Sequence, residues 1–135
     1  MKNFKLNEKD ILSNQDWTFP TTTYYGPGRF NEIGKFCEEF DIKNPLIVTD
    51  SGSKDLPFIK KLIALLSKNN IKSDLFYNIS PNPRDDEISK GCDQFKNGSH
   101  DSIIAIGGGS AMDGGKSICL TVNSETPLWD FEFEQ

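Results

Sequence analysis

Between Ser102 and Lys116 the chain reads S-I-I-A-I-G-G-G-S-A-M-D-G-G-K. An apolar run, Ser102 to Ile106, passes directly into three glycines and then into a helix-forming segment. The run shows no polar alternation, which predicts a strand buried on both faces. A strand that delivers its carboxyl end to a helix amino end within a few residues belongs to a parallel sheet. That one junction restricts the architecture more than any other segment.

The same order occurs twice upstream. Pro45 to Thr49 is an apolar run closed by Asp50-Ser51-Gly52-Ser53. A helix opens near Asp55 and Pro57, with Phe58, Leu62, Leu65 and Leu66 as its apolar face. Ser73 to Tyr77 is the next strand, ended by Pro81-Asn82-Pro83, and Ile88, Cys92 and Phe95 mark a third helix. Ala111, Gly115, Ile118, Cys119 and Val122 give the face of the last helix. Nearer the start, residues 1–18 lack a period and are expected to form a surface arm. Phe19 to Tyr25 reads as a strand ending at Gly26-Pro27-Gly28, and Phe30, Ile33, Cys37 and Phe40 as a helix face. The predicted fold class is α/β, a Rossmann-like three-layer domain with a mainly parallel sheet and helices on both faces.

Charge and cysteine content exclude several functions. There are 15 basic and 20 acidic residues, and four of the acids (Glu125, Asp130, Glu132, Glu134) fall in the last 11 positions. The rest of the chain is nearly balanced, with no basic stripe, so a nucleic-acid surface is not expected. No apolar run nears the roughly 20 residues of a membrane span, and Met1 to Asp10 lacks the apolar h-region of a signal peptide. A soluble, cytoplasmic protein is expected. Cys37, Cys92 and Cys119 are odd in number and widely spaced, and each is expected as a reduced thiol in the core. His100 is the only histidine, so a site built from several imidazoles cannot form within this chain.

The glycine junction predicts an anion site. The first N–H groups of a helix lack intrahelical partners, and its dipole adds about half a positive charge there. Gly108, Gly109, Ser110, Ala111, Met112 and Asp113 are the candidate residues, and a diphosphate is the fitting occupant. Two standard patterns fail here. The G-x-G-x-x-G fingerprint meets Met112 in place of its third glycine, and the P-loop needs glycine at Ser110. A structural alternative stands beside the ligand-binding one. Ser110 and Asp113 have the spacing of a capping box, and Gly114 and Gly115 allow close helix–strand packing. Five glycines in nine residues nevertheless exceed what a cap requires, since interior glycines each cost a helix about 1 kcal/mol.

Asp50 ends a strand at the same carboxyl edge of the sheet. A carboxylate there accepts both hydroxyls of an adenosine ribose and repels a 2′-phosphate. Equally, Asp50 fits an Asx-turn with Gly52 and Ser53, and position alone leaves both readings standing. Asn82, between two prolines, is either a turn former or a further contact at this edge.

Together Tyr25-Gly26-Pro27-Gly28, Leu46 to Asp50, Pro81-Asn82-Pro83 and Ile104 to Lys116 resemble the iron-containing (group III) alcohol dehydrogenase family. Every fixed position of the family's G-G-G-S-x-x-D-x-x-K turn is present, and order and spacing agree from about Phe19 to Phe131. The resemblance implies a dinucleotide-binding domain over residues 19–135, partial relative to the family. It implies that Gly108 to Asp113 hold the NAD pyrophosphate, that Asp50 contacts the adenosine ribose and favours NAD over NADP, and that Asn82 touches the cofactor. Arg84 departs from the family, which carries a small polar residue after the second proline. The resemblance also implies a helical C-terminal domain supplying an Asp and three His to a divalent metal, iron or zinc. That domain is absent here, so a fragment is expected, inactive as an alcohol dehydrogenase by itself. In the complete enzyme a small alcohol or aldehyde would be the substrate, and a homo-oligomer remains open. A glycerol dehydrogenase, maleylacetate reductase or dehydroquinate synthase fragment, or a non-catalytic nucleotide-binding module, is the alternative. The aromatic residues near the C-terminus are expected to pack on parts outside the chain.

Overall fold

The computed structural model describes residues 14–18 and 20–131, so Phe19 and Phe133 lie outside the described residues. An antiparallel hairpin comes first. β1 (Gln15–Thr18) pairs with β2 (Thr22–Tyr25), Gln15 opposite Tyr25 and Thr18 opposite Thr22. Four residues of the expected arm are therefore a strand.

After the Gly26-Pro27-Gly28 turn, a 3-10 turn (Arg29–Glu32) leads into α1 (Ile33–Glu39). The Tyr24 and Phe36 rings lie 4.3 Å apart between centroids, and the Arg29 guanidinium sits 5.0 Å from the Tyr24 ring. These contacts dock the hairpin on α1. Phe40 was expected on the helix face but is 62% exposed, because α1 ends one residue before it.

The remaining elements alternate strictly: β3 (Pro45–Asp50), α2 (Pro57–Lys68), β4 (Asp74–Ile79), α3 (Asp85–Asn97), β5 (Ser102–Ala105) and α4 (Gly109–Thr121). The three strands are parallel in the order β4-β3-β5. Pro45 through Thr49 are fully buried, as the unalternating run predicts for a central strand. Pro57 opens α2 at its first position, where a missing N–H costs nothing.

Two cores flank the sheet. Ile47 packs with Cys37 of α1 and with Leu62 and Leu66 of α2. Leu46 and Val48, pointing the opposite way, pack with Phe76, Ile79, Ile88 of α3 and Ile118 of α4. The period of two along β3 thus sorts its side chains between two helical layers, each buried Leu or Ile contributing about 1.5–3 kcal/mol. This is the expected three-layer α/β arrangement.

Three expectations change at the margins. β5 is only half-buried along its length, since among the described residues it pairs with β3 alone and stands at the sheet edge. Cys37 is a core thiol and Cys92 is half-buried, but Cys119 is exposed; it follows the buried Ile118 on α4 and turns to the outer face. Near the C-terminus, Leu128 packs against the α3–α4 core and the Trp129 indole N–H donates to Asp85 at 3.2 Å. Part of that aromatic segment therefore does find a surface within the chain.

Candidate functional site

The connection β3–α2–β4 runs to one side of β3, and β4–α3–β5 returns to the other. α2 follows β3 on one face of the sheet, whereas α4 follows β5 on the opposite face. The two loops leaving the carboxyl ends of β3 and β5 therefore diverge. In open α/β sheets such a switch point leaves a crevice where ligands bind. Asp50 and the glycine turn flank it.

The crevice walls are fixed by backbone ties. The Ile106 N–H donates to the Val48 carbonyl at 2.9 Å, and the Thr49 hydroxyl donates to the Ile106 carbonyl at 2.7 Å. Across β3, the Ser51 N–H reaches the Ile79 carbonyl at 3.0 Å. All three strand ends are thereby held level. The Asp50 carboxylate accepts the Gly52 N–H on Oδ1 at 3.0 Å, which is the Asx-turn, while Oδ2 faces Gly107. The two readings of Asp50 are compatible, because a carboxylate has acceptor sites to spare.

The five glycines divide by what surrounds them. Gly107 has φ +139°, and a Cβ there would lie 2.9 Å from the Ala111 Cβ. Gly114 and Gly115 are buried where α4 crosses the sheet; a Cβ on Gly115 would meet the Ala105 Cβ at 2.5 Å. Gly114 and Gly115 thus serve close packing, as the structural alternative expects, and Gly107 serves the backbone conformation of the turn. Gly108 and Gly109 differ. Both are exposed, and a Cβ on either would find nothing within 4 Å. Nothing inside the protein asks for glycine at these two positions.

Gly108 is the N-cap of α4 and no side chain caps it. The first helical bond is Met112 N–H to the Gly108 carbonyl at 3.1 Å, leaving the N–H groups of Gly109, Ser110 and Ala111 without intrahelical acceptors. The capping-box alternative fails here. The Ser110 hydroxyl donates to the Pro81 carbonyl at 2.6 Å, and Asp113 points outward, 4.0 Å from Lys116 in an exposed pair of little energetic weight. Ala111 is fully buried, backbone included, so the open donors of this turn are those of Gly109 and Ser110. Met112 is 39% exposed. Asn82 is exposed, in a turn brought to the α4 amino end by the Ser110–Pro81 bond.

Some features of this edge had no signal in the sequence. An apolar recess of about 460 Å³, lined by Phe30, Ser53, Phe58, Ile106, Gly107 and Gly108, adjoins the turn on the α2 side. Thr49 and Glu87 also contribute, the first as a strand tie and the second as the acceptor that organises the Ser80–Arg84 turn. A larger recess, about 750 Å³, lies at the opposite, amino edge between Asn44, Ile71 and Asp74. It is remote from the glycine turn. His100 is buried at that edge, its Nδ1 3.0 Å from the Asn44 carbonyl, where it ties strand starts together. Among the described residues no group of three or more His, Cys, Asp or Glu is disposed to hold a metal ion. The metal implied by the resemblance has no donor set on this part of the chain.

The chain matches the family described as iron-containing alcohol dehydrogenase over residues 20–135. It is 29% identical over 118 residues to 1,3-propanediol dehydrogenase of Klebsiella pneumoniae, covering 86% of this chain and 30% of the relative. It is 33% identical over 116 residues to NADH-dependent butanol dehydrogenase A of Clostridium acetobutylicum, covering 85% and 30%. The crystal structure of a 1,3-propanediol oxidoreductase superposes with a TM-score of 0.77 at 30% identity, over 80% of this chain and 28% of that one. The chain thus spans about 30% of the length of the curated relatives it matches. With the family model matched over residues 20–135 and the fold shared with the propanediol oxidoreductase, the chain belongs to the iron-containing alcohol dehydrogenase family.

Proposed function

We propose that this chain is the NAD-binding portion of a metal-dependent alcohol dehydrogenase that moves hydride between a small alcohol or aldehyde and a nicotinamide. The observation that carries the reading is the pair Gly108 and Gly109, exposed and free of steric demand, at an uncapped helix amino end beside Asp50. The butanol and propanediol dehydrogenase relatives support a short-chain alcohol as substrate class.

Each residue then has a task. The N–H groups of Gly109 and Ser110 donate to the diphosphate oxygens, and the α4 dipole favours the negative charge. Glycine at 108 and 109 lets the diphosphate approach the backbone without a Cβ in the way. Asp50 accepts hydrogen bonds from the adenosine ribose hydroxyls and repels a 2′-phosphate. Asn82 adds a polar contact from the neighbouring turn. When bound, the nicotinamide supplies the hydride acceptor or donor. The described residues hold and orient the cofactor, and no donor set for the metal lies among them. The expected behaviour of the purified chain is NAD binding without alcohol turnover.

A thermal melt tests this. NAD at 100 times its dissociation constant adds about 2.7 kcal/mol to stability and raises the midpoint, while NADP leaves it unchanged. Equal shifts with both nucleotides, or with neither, contradict the assignment. Metal-dependent oxidation of short alcohols by the purified chain contradicts the expected inactivity.

A further inference from the structure

The turn from Ser80 to Arg84 is organised by a side chain that the cofactor reading leaves without a task. Glu87, in the first turn of α3, is 7% exposed. Its Oε2 accepts the Arg84 N–H at 3.1 Å, the Ser80 N–H at 3.2 Å and the Ser80 hydroxyl at 3.0 Å. The Ser80 hydroxyl also lies 2.8 Å from the Asn82 carbonyl, so its single proton serves two acceptors. A buried carboxylate is costly unless its acceptor sites are filled, and here both ends of one five-residue turn fill them. On the far side, the Ser110 hydroxyl donates at 2.6 Å to the Pro81 carbonyl. That carbonyl is half of the peptide bond to Asn82. The turn is thus clamped from α3 by Glu87 and from α4 by Ser110, with Asn82 at its tip.

We infer that Glu87 and Ser110 are positioning residues, which hold Asn82 beside the uncapped amino end of α4 so that Asn82 can meet a dinucleotide bound there. The inference rests on the proposed NAD site. Pro81 and Pro83 stiffen the turn through their fixed φ angles, but they do not aim it. Aiming requires bonds to the elements on either side, and those are the bonds to Glu87 and Ser110. It also reassigns the Ser110 side chain. Its proton is committed to Pro81, leaving its backbone N–H for the phosphate.

The test is a set of double-mutant cycles on the full 135-residue chain, with NAD dissociation constants measured by calorimetry. Glu87→Gln keeps the shape and one acceptor oxygen; Ser110→Ala removes the outer clamp without touching the core. Each is expected to weaken NAD binding about tenfold, and Ser110→Thr, which keeps a hydroxyl, to restore it. In an Asn82→Ala background, neither change is expected to weaken binding further, because both act through Asn82. A merely structural role would not produce that silence. If Glu87→Gln and Ser110→Ala cost as much without Asn82 as with it, the inference is overturned while the cofactor site stands. The same holds if they cost nothing while Asn82→Ala weakens binding. If the unaltered chain does not bind NAD, the cofactor reading fails and this inference with it.

Discussion

The Asp50 carboxylate and Gly107 face each other across the gap between β3 and β5, Oδ2 lying 3.1 Å from where a Gly107 Cβ would stand. That spacing leaves room for a backbone and for nothing larger. Gly107→Ala adds a methyl group at φ +139°, against the Ala111 Cβ and the carboxylate together. A loss of about 1–3 kcal/mol in urea unfolding is expected.

Gly108→Ala and Gly109→Ala should behave differently. Neither methyl group meets anything, and Gly109 is a helical position where alanine is favoured by about 0.5–1 kcal/mol. At Gly109 stability should hold or rise. At Gly108, the N-cap, alanine caps less well than glycine and should cost about 0.5–1 kcal/mol. NAD affinity should fall in both. Melting without ligand and titration with NAD read the two effects separately, and unchanged affinity in both variants would remove the phosphate cradle from the account.

Asp50→Gly should weaken NAD binding about tenfold and admit NADP. On the proposed reading, the substitution removes a charged hydrogen bond to ribose, of roughly 1.5–3 kcal/mol, together with the repulsion of a 2′-phosphate. Competition titrations with the two nucleotides measure the exchange of preference.

Gly114 and Gly115 are both buried, yet alanine should be tolerated unequally. At Gly114 the obstacle is the buried Ile79 side chain, with Cδ1 at 2.8 Å, Cγ1 at 3.0 Å and Cγ2 at 3.2 Å, which must shift within the core but leaves the backbone in place. At Gly115 it is the Ala105 Cβ, which moves only with the strand. Gly115→Ala should cost about 1–3 kcal/mol and Gly114→Ala clearly less, as denaturant midpoints will show.

Acid should loosen the turn that carries Asn82. Burial raises the Glu87 carboxyl, but hydrogen bonds from Arg84 and Ser80 and the nearby Arg84 guanidinium outweigh it, holding its pKa below the ordinary glutamate value. Asp101 behaves likewise: burial raises it, and the N–H groups of Lys43 and Asn44 with the Ser102 hydroxyl lower it further. The folded state therefore binds fewer protons than the unfolded state in this range. Both contributions are complete above the unfolded values of about 4 and decline as pH falls through the lower folded ones. Melting midpoints should drop over that interval, and Glu87→Gln should flatten part of the slope.

Much of the framework was legible before any coordinates. Pro45 to Thr49 announced a central strand because a strand covered on both faces needs no polar alternation, and its burial is complete. The strand–helix order and the carboxyl-edge positions of Asp50 and Gly108 followed from spacing alone. What the pattern missed depended on neighbours. Ser102 to Ala105 reads like a central strand, yet how many strands flank it is not written in its own residues. Cys119 fits the periodicity of α4 about as well as Ile118 does, and only the crossing of α4 over the sheet decides which is covered.

The amino-acid sequence determined, by itself, that apolar runs must lie in a parallel sheet and that a glycine-rich helix start must stand at its carboxyl edge. Hydrophobic periodicity and backbone chemistry are local properties, written along the chain. Only the tertiary structure decided which glycines serve packing and which face open space, and only it sent the Ser110 hydroxyl to a carbonyl 29 residues away. Those outcomes depend on distances between segments remote in the chain. Such distances are set when the two cores close on the sheet.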